Sequence, residues 1–378
     1  MIIGLLKEPS GENRVALLPE NVKTLIALNV ELIVESQAGT AAFTTDSEFE
    51  KAGAKIGQRR DVLSADLVLG INPPTDSELE DLKAGQVLMS VFQPLSNKQL
   101  VEKLMSLQFT SFSMDNVPRT TRAQSMDVLS SMATVAGYKA VLLAASNSPR
   151  FFPMFMTAAG SIIPSKVLVL GAGVAGLQAI ATARRLGAVV EAFDVRTAAE
   201  EEVKSLGAKF VKVEGATDDK SAGGYAVEQS EEYKAKQQAL IQEHAAKANI
   251  IICTAQIPGR KAPVLITQET VQNMAEGSVI VDLAASTGGN CELTENDRVV
   301  QKHGVTIIGN SNLASTMPLD ASKMYGKNMV NFLKLLIDAE GNLNLNWEDD
   351  ILANTCVTHA GEVMSPRVKN ILFQTETA

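Results

Sequence analysis

The chain has 378 residues, a length that suits two or three domains and buries enough surface to hold together without disulfide staples. Apolar residues make up 46% and aromatics only 4%, so the core must be built mainly from Ala, Val, Leu, Ile and Met. A net charge of −9 with no basic cluster excludes the Lys/Arg footprint of a nucleic-acid binder.

Three scattered cysteines, Cys253, Cys291 and Cys356, give neither a disulfide framework nor a zinc-ligand spacing, and a reducing compartment is expected. The N-terminal MIIGLLKEPSGENR reads as a strand running into a polar loop and lacks the pattern of a signal peptide. The longest weakly polar run, 167–183, contains Gln178, Thr182 and glycines, and reads as strand, turn and helix rather than as a membrane span. A soluble chain is expected.

In chain order, short apolar runs at 2–6, 31–34, 65–71, 86–92 and 109–114 predict strands, separated by helical stretches at 20–28, 47–52, 77–82 and 97–107. That rhythm implies crossover connections and a parallel sheet. Residues 122–145 predict one long helix, rich in Ala, Leu, Met and Ser, that bridges two domains. Strands follow at 166–170, 189–194, 250–255, 278–283 and 305–308, and a second long helix at 321–336 returns the chain to the first domain, which 341–366 completes. The expected architecture is α/β: two doubly wound parallel-sheet, Rossmann-like domains joined by long helices, with boundaries at 1–134 plus 325–378 and at 135–324. The polar stretch VEGATDDKSAGGYAVEQSEEY, 213–233, is longer than most such connections, and loops of that length are usually functional or disordered.

The run KVLVL is followed directly by Gly171-Ala-Gly173-Val174-Ala-Gly176 and then by the helical pattern LQAIATARRLG. This is G-x-G-x-x-G with a strand before it and a helix after it, the context that a dinucleotide-binding turn needs. Gly171 permits the tight turn, Gly173 lets backbone approach a pyrophosphate, and Gly176 lets helix and strand pack closely. Asp194 ends the next strand, where an acid meets the adenosine ribose hydroxyls and repels a 2′-phosphate. NAD is favoured over NADP, although Arg196, two residues on, is a group that can accept such a phosphate.

Other catalytic groupings are sparse. His244, His303 and His359 are isolated in polar stretches, and no metal or nucleophile constellation follows from spacing. The densest polar cluster is Pro118-Arg119-Thr-Thr-Arg122-Ala-Gln124-Ser-Met-Asp127-Val-Leu-Ser130. Gln124, Asp127 and Ser130 recur every third residue, roughly on one helix face. Two readings stand: a face presenting an amide, a carboxylate and a hydroxyl to a nicotinamide, or a solvated face with capping residues. None of these groups is a natural acid or base at neutral pH.

PRTTRAQSMDVLSS, VLGAGVAGLQAIATARRLGA, AFDVR, SAGGYA, IPGRKAPVLIT, and SVIVDLA with GGNCE together resemble the NAD(H)-binding component (domain I, alpha subunit) of proton-translocating NAD(P) transhydrogenase, over nearly the whole chain. That family is related to alanine dehydrogenase, which shares the fold and motifs such as ENRVAL. The resemblance implies direct hydride exchange between NADH here and NADP⁺ on a separate NADP(H)-binding domain, of the Si-specific/Re-specific type, with a membrane domain coupling it to proton flow. It further implies a homodimer on the cytoplasmic or matrix side, peripheral to the membrane through its partners.

By matching residue, Arg119, Asp127 and Ser130 would hold the dihydronicotinamide end, with Arg122 in the same cofactor-binding stretch, and Gln124 would steer the two nicotinamides together. Val174 would lie in the pyrophosphate turn, and Asp194, Val195 and Arg196 would surround the adenosine ribose. Gly224 and Tyr225 would belong to a loop closing over the nucleotide, followed by Gln237. Ala255 and Gln256 would lie beside the cofactor, although the family more often has Leu at Gln256. Moving a hydride between two nicotinamides needs no proton transfer, which suits the missing acid and base. Alanine dehydrogenase does need such groups, and Asn72, Gln93 and Ser286 stand where that family has lysine, histidine and an acid, although Arg14 remains. The alternatives are therefore an alanine dehydrogenase-like soluble enzyme and a non-catalytic NADH-sensing module.

Overall fold

The computed structural model describes residues 1–213, 231–257 and 259–373. Along the chain the strands are β1 (Ile2–Leu5), β2 (Glu31–Glu35), β3 (Lys55–Gly57), β4 (Leu67–Leu69), β5 (Val87–Ser90) and β6 (Thr110–Ser113). A hairpin of β7 (Phe155–Thr157) and β8 (Gly160–Ile162) comes next. Then come β9 (Lys166–Leu170), β10 (Val189–Phe193), β11 (Lys209–Phe210), β12 (Ile250–Cys253), β13 (Val279–Asp282), β14 (Val299–Lys302) and β15 (Val305–Ile308). The last are β16 (Cys356–His359) and β17 (Glu362–Val363).

The chain divides into two compact units, 1–132 with 315–378, and 133–314. In the first, eight strands run in the order β17-β16-β6-β5-β4-β1-β2-β3. Its β1 to β6 pair in parallel and β16 joins β6 antiparallel. In the second, the order is β11-β10-β9-β12-β13-β15-β14, parallel except for the final β14–β15 pair. Its six parallel strands carry the doubly wound order 3-2-1-4-5-6, so both sheets are of the expected α/β, Rossmann-like kind.

Side chains alternate across each sheet, and both faces are covered. On β9, Val167 and Val169 join one buried cluster, Leu168 and Leu170 another. On β5, Val87 and Met89 face one cluster and Leu88 the opposite one. Small residues matter again on the helix Val128–Asn147, where Ala140, Val141 and Ala144 enter the core of the second unit. Gly137 on that helix lies so close to the carbonyl of Ala175 that an added Cβ would stand 2.1 Å from its oxygen. Among the described residues this is the one helix long and apolar enough to cross a membrane, with mean hydropathy 1.5. Its alanines and valine fill a protein core, which accounts for that composition.

Three features differ from the sequence-based reading. The long helix starts at Val128 rather than near 122, because Asp127 caps it: the Asp127 carboxylate accepts from the Ser130 N–H at 2.9 Å and the Ser130 hydroxyl at 2.6 Å. The return to the first unit falls at 314/315, ahead of the helix Pro318–Leu336, rather than at 324/325. There Ser315 Oγ accepts from Asn13 N at 2.8 Å and its carbonyl from Asn13 Nδ2 at 3.2 Å, tying Ser315 to the first unit. The β7–β8 hairpin has no counterpart in the expected elements.

The close approach at Gly137 gives a direct test. Gly137→Val should cost roughly 1–3 kcal/mol through overpacking, read as a lower urea midpoint for the unit containing Ala133–Ala314; an unchanged midpoint would show that the helix shifts freely.

Candidate functional site

The glycine turn joins β9 to the helix Val174–Arg185 at the carboxyl end of the parallel sheet. The strand order reverses between β9 and its neighbours β10 and β12, which is where open α/β sheets leave a crevice for ligands. Gly171 has φ +97°, and a Cβ there would stand 2.6 Å from Thr254 Oγ1. At Gly176 a Cβ would lie 1.9 Å from the Gly171 carbonyl oxygen, so this glycine admits the turn's own carbonyl to the helix surface. Gly173, the residue that starts the helix, is different: a Cβ on it would meet nothing within 4 Å. The open side of the turn therefore lies at Gly173 and at the 43%-exposed Val174. No side chain caps this helix start, leaving backbone N–H groups and the positive helix end for an anion.

Asp194 follows β10 and reaches back to the turn. Its Oδ2 accepts from Ala172 N at 2.7 Å and from Arg196 Nη2 at 2.8 Å. Its Oδ1 accepts from Arg196 N at 2.8 Å and from Arg196 Nε at 2.9 Å. The structure thus brings Gly171, Gly173, Gly176, Asp194 and Arg196 together, with half-buried Val195 between the last two.

A second layer, missed in the sequence, holds these groups. Thr254 Oγ1 donates to the Gly171 carbonyl at 2.9 Å, bolting the turn to the end of β12. The Asn290 amide binds both backbone groups of Ala255, accepting from its N–H at 3.0 Å and donating to its carbonyl at 2.9 Å, and also donates to Pro263 O at 2.8 Å. With its backbone consumed in this way, Ala255 is left with its methyl group for any ligand. Asn290 is itself held by Asp282, a fully buried carboxylate that accepts from Ala284 N, Asn290 N, Cys291 N and Thr294 Oγ1. Burial pushes the Asp282 pKa up while these four donors pull it down. The usable sequence signals were a Thr closing the strand before TAQIPG and an Asn after paired glycines. Gln256 is exposed, and its Nε2 donates to Leu283 O at 2.8 Å.

In the first unit, Arg119 and Gln124 are exposed. Gln124 opens a short 3-10 turn, Gln124–Met126, and is not on the long helix, so the expected common face of Gln124, Asp127 and Ser130 is replaced by a turn followed by a cap. Asp127 and Ser130 do meet, as the capping pair. The guanidinium of Arg122 forks onto Asp349 at 2.7 and 2.6 Å and also meets Asp350, so this cation is engaged within the protein. Gln237 lies half-buried on the helix Glu231–Ala246. Gly224 and Tyr225 lie outside the described residues.

The positions that separate transhydrogenase-like from alanine dehydrogenase-like chemistry are also placed. Asn72 donates to Glu8 Oε2 at 2.9 Å. Arg14 is forked onto Glu12 at 2.8 and 2.5 Å. Two of the histidines have structural partners: His244 Nδ1 meets Glu191 at 2.6 Å and His359 Nδ1 meets Thr110 at 2.9 Å. No cluster of possible metal ligands occurs among the described residues.

With this geometry in place, the similarities to known proteins are specific. The family described as Alanine dehydrogenase/PNT matches in both halves, the N-terminal domain over residues 4–136 and the C-terminal domain over 140–366. The first of the separately encoded pieces of the NAD(P) transhydrogenase alpha subunit of Rhodospirillum rubrum is 46% identical over 366 residues, covering 94% of this chain and 95% of that protein. The crystal structure of transhydrogenase from Sinorhizobium meliloti superposes with a TM-score of 0.88 at 45% identity, covering 96% of this chain and 100% of that one. Alanine dehydrogenase 1 of Staphylococcus aureus is more distant, 28% identical over 352 residues, with 89% of this chain and 88% of that protein covered. The chain belongs to the alanine dehydrogenase/PNT family, and within it to the relatives of the NAD(P) transhydrogenase alpha subunit.

Proposed function

We propose that this chain binds NAD(H) and passes a hydride directly to NADP⁺ carried by a partner domain, giving NAD⁺ and NADPH, with a membrane domain coupling the exchange to proton translocation. The observation that carries this reading is the uncapped glycine turn at the strand-order reversal, open at Gly173 and backed by Asp194. The residues fit the dinucleotide: a side chain is sterically barred at Gly171 and Gly176, and at Gly173 the absent one leaves room.

Bound NADH supplies the hydride. The chain's residues bind and orient it. The helix start at Val174 faces the pyrophosphate, and Asp194, Val195 and Arg196 take the adenosine ribose. Arg119, Asp127 and Ser130 hold the dihydronicotinamide end, and the exposed amide of Gln124 steers the second ring. Arg122, tied to Asp349 and Asp350, stands behind these contacts. Ala255 offers its methyl group, and Gln256 and Gln237 line the approach. Gly224 and Tyr225 belong to a segment that closes over the nucleotide and excludes water.

Orientation suffices for such a reaction, because two rings held at about 3–3.5 Å need no acid or base. The amides of Asn72 and Gln93 and the hydroxyl of Ser286 do not supply the base that amino-acid oxidation needs. The natural assembly is a homodimer joined to NADP(H)-binding and membrane domains on the cytoplasmic or matrix side. The β7–β8 hairpin supports the dimer, since Met154, Met156 and Ile163 are 60%, 78% and 64% exposed around it.

Mixing the chain with a family NADP(H)-binding domain, with NADP⁺ as sole oxidant, should give NADH oxidation that requires both proteins. Tight NADH binding without turnover, once association is verified, would favour the sensing module. Supplied instead with pyruvate and ammonium, the chain should leave NADH unoxidised, and substantial turnover would establish the alanine dehydrogenase reading. Gln124→Asn should lower transhydrogenation at least about tenfold, some 1.4 kcal/mol of barrier, while NADH affinity measured by fluorescence stays nearly constant; equal losses in both would remove Gln124 from the transfer step.

A further inference from the structure

The side chain proposed to steer the transfer, Gln124, is exposed, yet the backbone beneath it is held from distant parts of the sequence. The Ser125 carbonyl, one residue on, accepts from Asn328 Nδ2 at 2.8 Å and from Asn331 Nδ2 at 3.1 Å. Both asparagines project from the helix Pro318–Leu336, and Asn328 is only 6% exposed. On the other side, Arg122 forks onto Asp349, the residue that caps the helix Asp350–Thr355 by accepting from Ile351 N at 2.8 Å. Between these ties, Ala123 and Met126 are pegs in the core of the first unit, 0% and 7% exposed. The turn closes on itself through Met126 N to Ala123 O at 2.8 Å.

Two buried apolar pegs alone would leave the turn between them free to rock. Two donors converging on one carbonyl remove that freedom, because the carbonyl's direction fixes the peptide plane that follows Ser125. A surface turn with no other duty would satisfy the Ser125 carbonyl with water, and burying Asn328 to reach it costs desolvation.

We infer that Asn328, Asn331 and the Arg122–Asp349 pair form a clamp of positioning residues that fixes the 119–127 segment so that the Gln124 amide and Arg119 point at the reacting rings. This rests on the transfer reading above. The clamp acts on rate rather than on nucleotide affinity, because it governs where Gln124 stands and leaves the glycine turn untouched.

The test uses Asn328→Ala with Asn331→Ala, and separately Arg122→Gln, in the full chain. Three quantities are read: amide hydrogen exchange over 119–127, NADH affinity by fluorescence, and transhydrogenation with the NADP(H)-binding domain. Exchange in that segment should rise about tenfold and the transfer rate fall about tenfold, while NADH affinity changes less than twofold. In a Gln124→Ala background the same double substitution should cost almost nothing further, since contacts that act through one residue are not additive. A faster-exchanging segment with an undiminished rate overturns the positioning role, and unchanged exchange overturns the clamp itself. A full additional loss in the Gln124→Ala background assigns the effect to general destabilisation and overturns the inference. Should the asparagine pair fail to fold, Arg122→Gln decides alone: a lower rate at constant affinity supports the clamp, and weakened NADH binding makes Arg122 a nucleotide contact instead. Absence of transfer in the unsubstituted protein would defeat the functional reading separately, with the exchange data still deciding the clamp.

Discussion

The Gly171 carbonyl is the point on which the second unit's geometry turns. The Thr254 hydroxyl donates to it at 2.9 Å from one side, and the surface of the following helix at Gly176 closes on it from the other, with no room for a Cβ. A carbonyl wedged between a hydroxyl and a bare helix surface fixes the turn, and the turn fixes the direction in which the first N–H groups of the helix Val174–Arg185 point. A side chain at Gly176 would lever the helix away from β9, and one at Gly171 would collide with Thr254 in a backbone region that L residues avoid. The positive end of that helix is thus aimed by sterics before any ligand arrives.

Much of this was legible in the sequence because it is local. A buried strand, three spaced glycines and a helix form one continuous segment, and the parallel strands announce themselves as apolar runs of the right length. The helix start was not legible in the same way. Asp127 and Ser130 stand three apart, a spacing shared by one face of a helix and by a cap with the residue that binds back to it, and only the bonds from Ser130 to the Asp127 carboxylate separate the two. The β7–β8 hairpin escaped for another reason. Its strands are three residues each and exposed, so they carry no buried periodicity to read.

The supports of the site were invisible because they are long-range. Asn290 grips Ala255 from 35 residues away, Ser125 is held from 203 and 206 residues away, and Arg122 meets Asp349 from 227. Nothing in a single sequence marks an asparagine as bonded to a distant backbone rather than to water. Such residues matter through their rigidity. A motif states which atoms can touch a ligand, and the surrounding amides determine whether those atoms are held still enough for two rings to meet at reacting distance.

Asp194 shows how the structure sharpens a question that the sequence left open. A carboxylate offers about four acceptor positions, and four donors fill them here: the N–H groups of Ala172 and Arg196, and two guanidinium nitrogens of Arg196. The two backbone donors are fixed by the turn, whereas the guanidinium stands at the end of rotatable bonds. A ribose diol approaching Asp194 therefore competes with Arg196 and with nothing else on that carboxylate, and it can win by offering two hydroxyl donors in place of the guanidinium's two. A 2′-phosphate has no proton to offer a carboxylate that its neighbours hold in its charged form. It would have to draw Arg196 away and then stand beside the exposed negative charge. The arginine that could have signalled NADP is, in this arrangement, spent on the acid that selects NAD.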